Sequence, residues 1–552
     1  MSETTDYQEA IERIDALLRR SHDMGFGPGV SLALTTADGL LATRTYGVRS
    51  TNTGEPVTDD TLFQIGSITK HFTAIACLRL HEDGLLDLHA PVAEVLDWFE
   101  VPSRFDTPLT THHLLTHTGG LVMMNDCCPS SWWQVWALRS TELGFEPGSR
   151  FSYSNVGYNV LQCVLETITG NRFGDALHDL IFEPLGMQDS WGEVRTQQLP
   201  RLARGHKYSM YDDRPVCVPD RQAVVNWYEM SAGCASVVTT PTDLARFLRM
   251  LLRRGTAEDG TRLLSKDTFD AMIRPYATID GFFQGSTQGY GVLIETSDDT
   301  GGTPRIIGGG ENLGYEAAMY GDFAAQVGVI LFNNSFDVRW NDVKYAMSVL
   351  LAASADQPLP PLPAVAPDNP KQVGDNADDY AGAYTGDDCT LAIHPKDGTL
   401  VLSAAGTSVQ LERIHGDNFV APHPAFEHAM LSFGRNDAGD VVAAYSLGNE
   451  YRNERYDGRA EPSYPPAWDA YVGKYRSYGI IVTNFRIFVR NATLFQQAYS
   501  GYVDQPLTDL GDGRFRSGDE TSPEVLVFDC MAGGKTLRCR TAGGAFFRVS
   551  EP

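Results

Sequence analysis

A serine and a lysine three residues apart, Ser67 and Lys70, stand in the run Gly66-Ser67-Ile68-Thr69-Lys70-His71-Phe72, where helical patterning begins and continues to about Glu82. Residues three apart share a helix face, so a hydroxyl and an ammonium placed this way point into one cleft. The pair suits nucleophilic catalysis, in which the amine takes the hydroxyl proton and the oxygen attacks a carbonyl carbon. A free lysine has a pKa of about 10.4, so burial or a nearby cation has to lower it for this work. A drop of about three units corresponds to roughly 4 kcal/mol, which the fold must supply. A serine opening a helix also offers its own N–H to a developing oxyanion. The chain has only eight lysines, and Lys70 alone follows a serine at this spacing. Taken singly, the pattern also fits an ordinary surface helix.

A second motif adds weight. The run Glu146-Pro147-Gly148-Ser149-Arg150-Phe151-Ser152-Tyr153-Ser154-Asn155 ends in Tyr-x-Asn where a loop meets a helix spanning about Asn155–Thr169. A phenol beside an ammonium can relay protons between nucleophile and leaving group. An asparagine can accept from the lysine and donate to a substrate carbonyl. The plainer reading makes Tyr153 a core aromatic and Asn155 a helix cap.

Together Ser67-x-x-Lys70 and Tyr153-x-Asn155 resemble the penicillin-recognising serine hydrolases: class C β-lactamases, carboxylesterases and D-aminopeptidases. The intervening Leu109–Leu121 segment, the run Phe182-Glu183-Pro184-Leu185-Gly186-Met187, and Ala232-Gly233 leading to Thr239–Ala245 resemble the same group in the same order. The resemblance covers about residues 25–352. It implies an α+β fold, an antiparallel sheet flanked by helices plus a helical lobe, with an acyl-enzyme on Ser67, Lys70 as proton acceptor, Tyr153 as relay and Asn155 as orienter. No metal or organic cofactor is implied.

The family's third motif, Lys or His, then any residue, then Gly, aligns through Gly314-Tyr315 with Gly308-Gly309-Gly310, so the cation is missing. His117-Thr118-Gly119 spells the motif but precedes Tyr153 in the chain, and His117 is read as structural. The main-chain role can survive, because glycines let a strand approach a substrate closely. Ser67, Gly310, Glu311 and Asn312 are therefore the expected oxyanion and substrate-binding residues. Without the cation a substrate carboxylate is poorly served, which favours an aminopeptidase, amidase or esterase over a β-lactamase or carboxypeptidase. Glu311 is a candidate partner for a substrate ammonium, or a solvated glutamate. A D-stereospecific aminopeptidase or amidase leads. A carboxylesterase, a peptide-cyclising thioesterase and a catalytically silent binding homologue are the alternatives.

These residues must be positioned by long helical patterns alternating with short strands before residue 355, including a helix fitting Thr242–Arg254. Ile11, Ile14, Leu17 and Leu18 mark a further amphipathic helix. Six prolines between Gln357 and Gly374 form a semi-rigid linker, taken as 356–374 between a catalytic domain at 1–355 and modules at 375–460 and 461–552. Beyond it the texture is short strands and turn dipeptides. Tyr380-Ala-Gly-Ala-Tyr384 is echoed 91 residues later by Tyr471-Val-Gly-Lys-Tyr475, so two related antiparallel β-barrels are expected. That layout looks like D-aminopeptidase, where a loop of the last barrel reaches the cleft, and Tyr499–Asp504, with Tyr502, is the matching stretch.

The formal charge of −26 disfavours nucleic acid and anionic membrane as partners, and leaves a small peptide, amide or ester as the substrate. Nine cysteines without a CxxC pair argue against a disulfide framework or zinc site; Cys127 and Cys128 read as reduced bystanders. The N-terminal stretch lacks the pattern of a secretory signal and no apolar run is long enough for a membrane span, so a cytoplasmic location is expected. Oligomeric state is open, and a homodimer is compatible with the sequence.

Overall fold

The computed structural model of the protein describes residues 6–23, 27–124, 130–208, 222–224, 228–279, 285–296, 303–335, 340–363, 374–386, 389–424, 430–436, 438–446, 449–456, 463–477, 484–490, 492–498, 504–542 and 544–549. The chain divides into two compact units, residues 1–207 with 222–364 and residues 365–552 with 208–221, so the main boundary along the chain falls inside the proline-rich stretch. Prolines lack a donor but keep their carbonyls, and the first part of this stretch is strapped to the first unit through them. Arg13 and Tyr345 both donate to the Pro360 carbonyl at 3.0 Å, and Arg20 donates to that of Pro363 at 2.6 Å.

The first unit is built on eight antiparallel strands: β1 Gly29–Thr36, β2 Leu40–Gly47, β3 Ala277–Thr278, β4 Ser286–Gln288, β5 Leu293–Glu295, β6 Arg305–Asn312, β7 Tyr315–Asp322 and β8 Val327–Asn333. They lie in the order β2-β1-β8-β7-β6-β5-β4-β3. Alternation along a strand sorts side chains onto two faces. Val30, Leu32, Leu34, Val329 and Leu331 form one face and pack against helix α1, Gln8–Asp23, and helix α5, Trp340–Ser354. The apolar stripe of α1 (Ile11, Ile14, Leu17, Leu18) is buried, as its spacing predicts. On the other face lies α4, Pro241–Leu252, whose Leu248 occupies the space that side chains at Gly321 and Gly328 would take.

Helix α2, Thr69–Glu82, is apolar around most of its circumference because it is enclosed, and Phe72 stacks on Phe247 of α4 at 4.0 Å. Helix α3 runs Asn155–Thr169. Its cap is Ser154, whose hydroxyl accepts from the Gly157 N–H, so Asn155 is the first helical residue and its side chain is released for other work.

The second unit contains two eight-stranded up-and-down barrels. The later one, from Gly473–Arg476 to Gly544–Arg548, is closed by the pair Tyr475↔Arg548. In the earlier one, Thr407–Gln410 pairs with Thr399–Ala404 and Glu412–His415 pairs with Asn418–Val420, with Leu411 between them. One bent strand thus joins both ends of the sheet order, while Thr385↔Arg452 links its first and last strands. Closure leaves no free sheet edge among the described strands.

The YxGxY repeat is a structural one. Tyr384 Oη donates to the Tyr380 carbonyl at 2.8 Å, and Tyr475 Oη donates to the Tyr471 carbonyl at 2.8 Å. The intervening glycines have φ +146° and +151°. Tyr380 packs on Phe419 and Phe433 of the fifth and sixth strands at 5.3 and 5.0 Å; Tyr471 packs on Phe515 and Phe528 of the fifth and sixth strands at 5.0 and 4.9 Å. The same four-ring core therefore recurs on the same strands. Among the described residues no helix is long and apolar enough to cross a membrane.

Candidate active site

Ser67 sits in a tight helical turn, Gly66–Ile68, that leads into α2 rather than in the α-helix itself. Pressure from β6 explains the turn. Gly66 is left-handed at φ +51°, and a Cβ there would meet the Glu311 nitrogen at 2.4 Å. A Cβ on Gly310 would lie 1.8 Å from the Ile65 carbonyl oxygen and 2.9 Å from the Ser67 nitrogen. Only glycine fits at that crossing. The approach brings the Ser67 amide beside the main chain of Gly310–Glu311, where two N–H groups can converge on an oxyanion. Strand β5 pairs with β6 only over Arg305–Ile307, so it stops short of this crossing.

Lys70 Nζ donates to Ser67 Oγ at 3.0 Å, to Asn155 Oδ1 at 2.8 Å and to the Cys234 carbonyl at 2.9 Å. Tyr153 Oη donates to Ser67 Oγ at 2.8 Å. The four side chains named from sequence are thus brought together, from chain segments as much as 88 residues apart. Lys70 is 4% exposed and lies under the faces of Tyr153 and Tyr158, at 4.8 and 5.5 Å. Each of its three acceptors is a neutral oxygen, so a proton can pass between Nζ and Ser67 Oγ without breaking an ion pair. With Oδ1 of Asn155 engaged, its Nδ2 is the donor left for a substrate carbonyl.

The Cys234 carbonyl has no signature in sequence, being main chain, but its position is braced from three sides. Thr73 of α2 donates to the Gly233 carbonyl at 2.7 Å, Gln162 of α3 accepts from the Gly233 N–H at 2.8 Å, and Asn312 of β6 donates to the Ala235 carbonyl at 3.0 Å. Asn312 is therefore turned inward and 7% exposed, a brace rather than a cleft group, while Glu311 beside it on the strand is exposed.

The missing cation has a physical counterpart. A Cβ on Gly308 would come within 3.2 Å of Met319 Cε and 3.3 Å of His71 Cε1. The imidazole of His71, the residue after Lys70, fills the space into which a side chain at 308 would start. Neither of its ring nitrogens makes a hydrogen bond of ordinary geometry, although backbone groups of Ile307 and Ile68 lie beside the ring. Burial first, and Lys70 in addition, push its pKa down to about 4. A neutral ring thus stands where the family pattern has a charge, so no cation is regained.

Tyr502 falls outside the described residues, as do Cys127 and Cys128. At the end of that late stretch, Asp504 accepts from Arg490 at 2.8 Å and from Gln497 at 3.0 Å, all within the later barrel. Cys77, Cys163, Cys234, Cys389, Cys530 and Cys539 are free thiols. Among the described residues the one grouping with metal-ligand spacing is His178, Asp179 and Glu183, which are exposed and include no residue of this site.

This fold and this cluster are those of a serine hydrolase that works through an activated hydroxyl. The Beta-lactamase family model matches residues 14–354, and the chain belongs to that family, whose members are serine hydrolases. It is 34% identical over 269 residues to Penicillin-binding protein 4 of Amycolatopsis lactamdurans, covering 47% of this chain and 68% of that one. It is 30% identical over 339 residues to Esterase EstB of Burkholderia gladioli, covering 54% and 83%. The solved D-amino acid amidase of Ochrobactrum anthropi SV3, complexed with D-phenylalanine, superimposes with a TM-score of 0.52 at 25% identity, over 63% of this chain and 99% of that one.

Proposed function

We propose that the protein hydrolyses small amides or peptides carrying a free amine, with preference for a D-residue, through an acyl-enzyme on Ser67. The observation that carries this is the cluster in which Lys70 and Tyr153 both contact Ser67 Oγ, set in a cleft wall where Gly308 and neutral His71 replace a cation and Glu311 is exposed. Lys70, acting from its neutral amine form with a lone pair turned to Ser67, takes the Ser67 proton as Oγ adds to the substrate carbonyl. Tyr153 gives its proton to the leaving nitrogen as the C–N bond breaks, and is reprotonated from Lys70. Water then attacks the ester by the same relay in reverse. The Ser67 and Glu311 amides hold the oxyanion, and the Glu311 carboxylate meets the substrate ammonium. Likeness to a D-amino acid amidase supports the D preference.

The test is a chromogenic panel of D- and L-alanine p-nitroanilides, each free and N-acetylated, beside nitrophenyl esters. Turnover of the free D-amide, its loss on acetylation, and a raised KM in Glu311→Gln are expected. Equal use of D and L forms, or indifference to acetylation, counts against the reading. A carboxylesterase is the second reading, favoured by the likeness to Esterase EstB; ester turnover with every amide inert would establish it instead.

A further inference from the structure

His117 is a buried imidazole, 3% exposed, to which the acyl-transfer scheme assigns no task. It has a left-handed backbone, φ +54°, uncommon for a residue with a side chain. Its carbonyl accepts from the Ser152 N–H at 2.8 Å, and its Nδ1 accepts from the Ser154 N–H at 3.1 Å. The residues on either side of Tyr153 are thus both tied to His117. Its ring also lies 4.4 Å from the Tyr153 ring, tilted by 32°, and 4.9 Å from that of Tyr158.

The tautomer follows from the contacts. Nδ1 can accept only with a lone pair, so the ring is neutral with its proton on Nε2. Burial, reinforced by the charge of Lys70, holds its pKa well below the usual histidine range. The turn is fixed on its far side too, since the Thr118 N–H donates to the His113 carbonyl at 2.9 Å and the Gly148 N–H donates to that of Thr118 at 2.8 Å.

We propose that His117 is the positioning residue of the proton relay: two main-chain bonds and one ring contact hold the Tyr153 hydroxyl on Ser67 Oγ. This rests on the reading of Tyr153 as the relay. A side chain that only filled the core would lower stability, whereas one acting through Tyr153 loses its kinetic effect once the phenol is gone.

The experiment compares kcat and KM on a turned-over chromogenic substrate for wild type, His117→Gly, His117→Asn, Tyr153→Phe and both double variants, with thermal unfolding to confirm folding. Glycine and asparagine both tolerate the left-handed backbone, and asparagine Oδ1 can still accept the Ser154 N–H. His117→Gly is expected to lower kcat by about 30-fold with KM within about threefold, and His117→Asn to stay within about fivefold of wild type. In the Tyr153→Phe background either change should cost less than about twofold. A folded His117→Gly with wild-type kcat overturns the inference, as does an equal loss in both backgrounds. If His117→Gly does not fold, His117→Asn decides through loss of the ring contact: a drop in kcat of about threefold to fivefold that shrinks below about twofold in the Tyr153→Phe background supports the inference, and wild-type kcat or an equal loss in both backgrounds overturns it. If Tyr153→Phe itself keeps full turnover, the relay reading falls and this inference falls with it; if Tyr153→Phe is impaired and His117 is silent, only this inference falls.

Discussion

The barrels and the hydrolase unit hold their tyrosines in opposite ways. In each barrel a tyrosine closes a hydrogen bond on the carbonyl four residues before it, and the partner rings come from the same two strands. That hydrogen bond closes within five residues of chain, and it occurs twice. Tyr153 instead reaches a serine 86 residues away, with both of its neighbours tied to a third segment. The first arrangement needs only a short motif and a closed sheet. The second needs four segments to arrive together, so single changes should damage it far more.

The largest expected effect is at the nucleophile. Ser67→Ala should lower kcat by about 10⁴-fold or more with the fold intact, as measured by turnover beside thermal unfolding. Tyr153→Phe should cost about 10²–10³-fold in kcat with little change in KM. Gly310→Ala comes next. Its Cβ meets the Ile65 carbonyl at 1.8 Å, so the strand or the Ser67 turn must shift, with a stability loss of about 1–3 kcal/mol and a larger loss of kcat. Urea unfolding and turnover of the same sample check both.

Acid separates the two units. The unfolded chain protonates histidine below about pH 6.5, whereas folded His71 stays neutral down to about 4. The unfolded state therefore binds more protons in that window, and stability of the hydrolase unit falls as pH drops from 6.5 towards 4, by up to roughly 3 kcal/mol for His71. His117 adds in the same direction. In the later barrel, Arg538 chiefly, with Arg540, holds the Asp529 carboxyl down to about 2. Its contribution is present above the ordinary carboxylate range and is lost only as pH falls through about 2. Tryptophan fluorescence reports mainly the first unit, because seven of the eight tryptophans precede Ala364. Its unfolding midpoint should drop between pH 6.5 and 4 ahead of the barrel signal in circular dichroism. The smallest effects are in the barrels: Tyr384→Phe should cost about 1 kcal/mol and Tyr475→Phe somewhat more, because its Oη also accepts from Arg548 at 2.9 Å, and both should leave kcat/KM unchanged.

The same contrast explains what could be read from sequence. Ser67–Lys70 and Tyr153–Asn155 were legible because chemistry fixes residue type and spacing within each pair. The helix at Asn155–Thr169 was legible from its pattern, and the barrels from a motif that repeats with its hydrogen bond. The Cys234 carbonyl was not, because a main-chain acceptor leaves no residue signature. The pairing of His71 with Gly308 depends on how β6 crosses α2, which spacing does not encode. Asn312 shows a signal that was present but unused: neighbours on a strand face opposite ways, so Glu311 and Asn312 cannot both line one cleft. Glu311 is exposed and Asn312 braces the Cys234 turn.

The most direct test of the central claim is to trap the acyl-enzyme with a slowly released chromogenic ester and map it by mass spectrometry. A single acyl group on the peptide bearing Ser67, formed more slowly in Tyr153→Phe and absent from Ser67→Ala, is the predicted result. Continued turnover by Ser67→Ala, or an adduct on another side chain that accounts for the turnover, would contradict it.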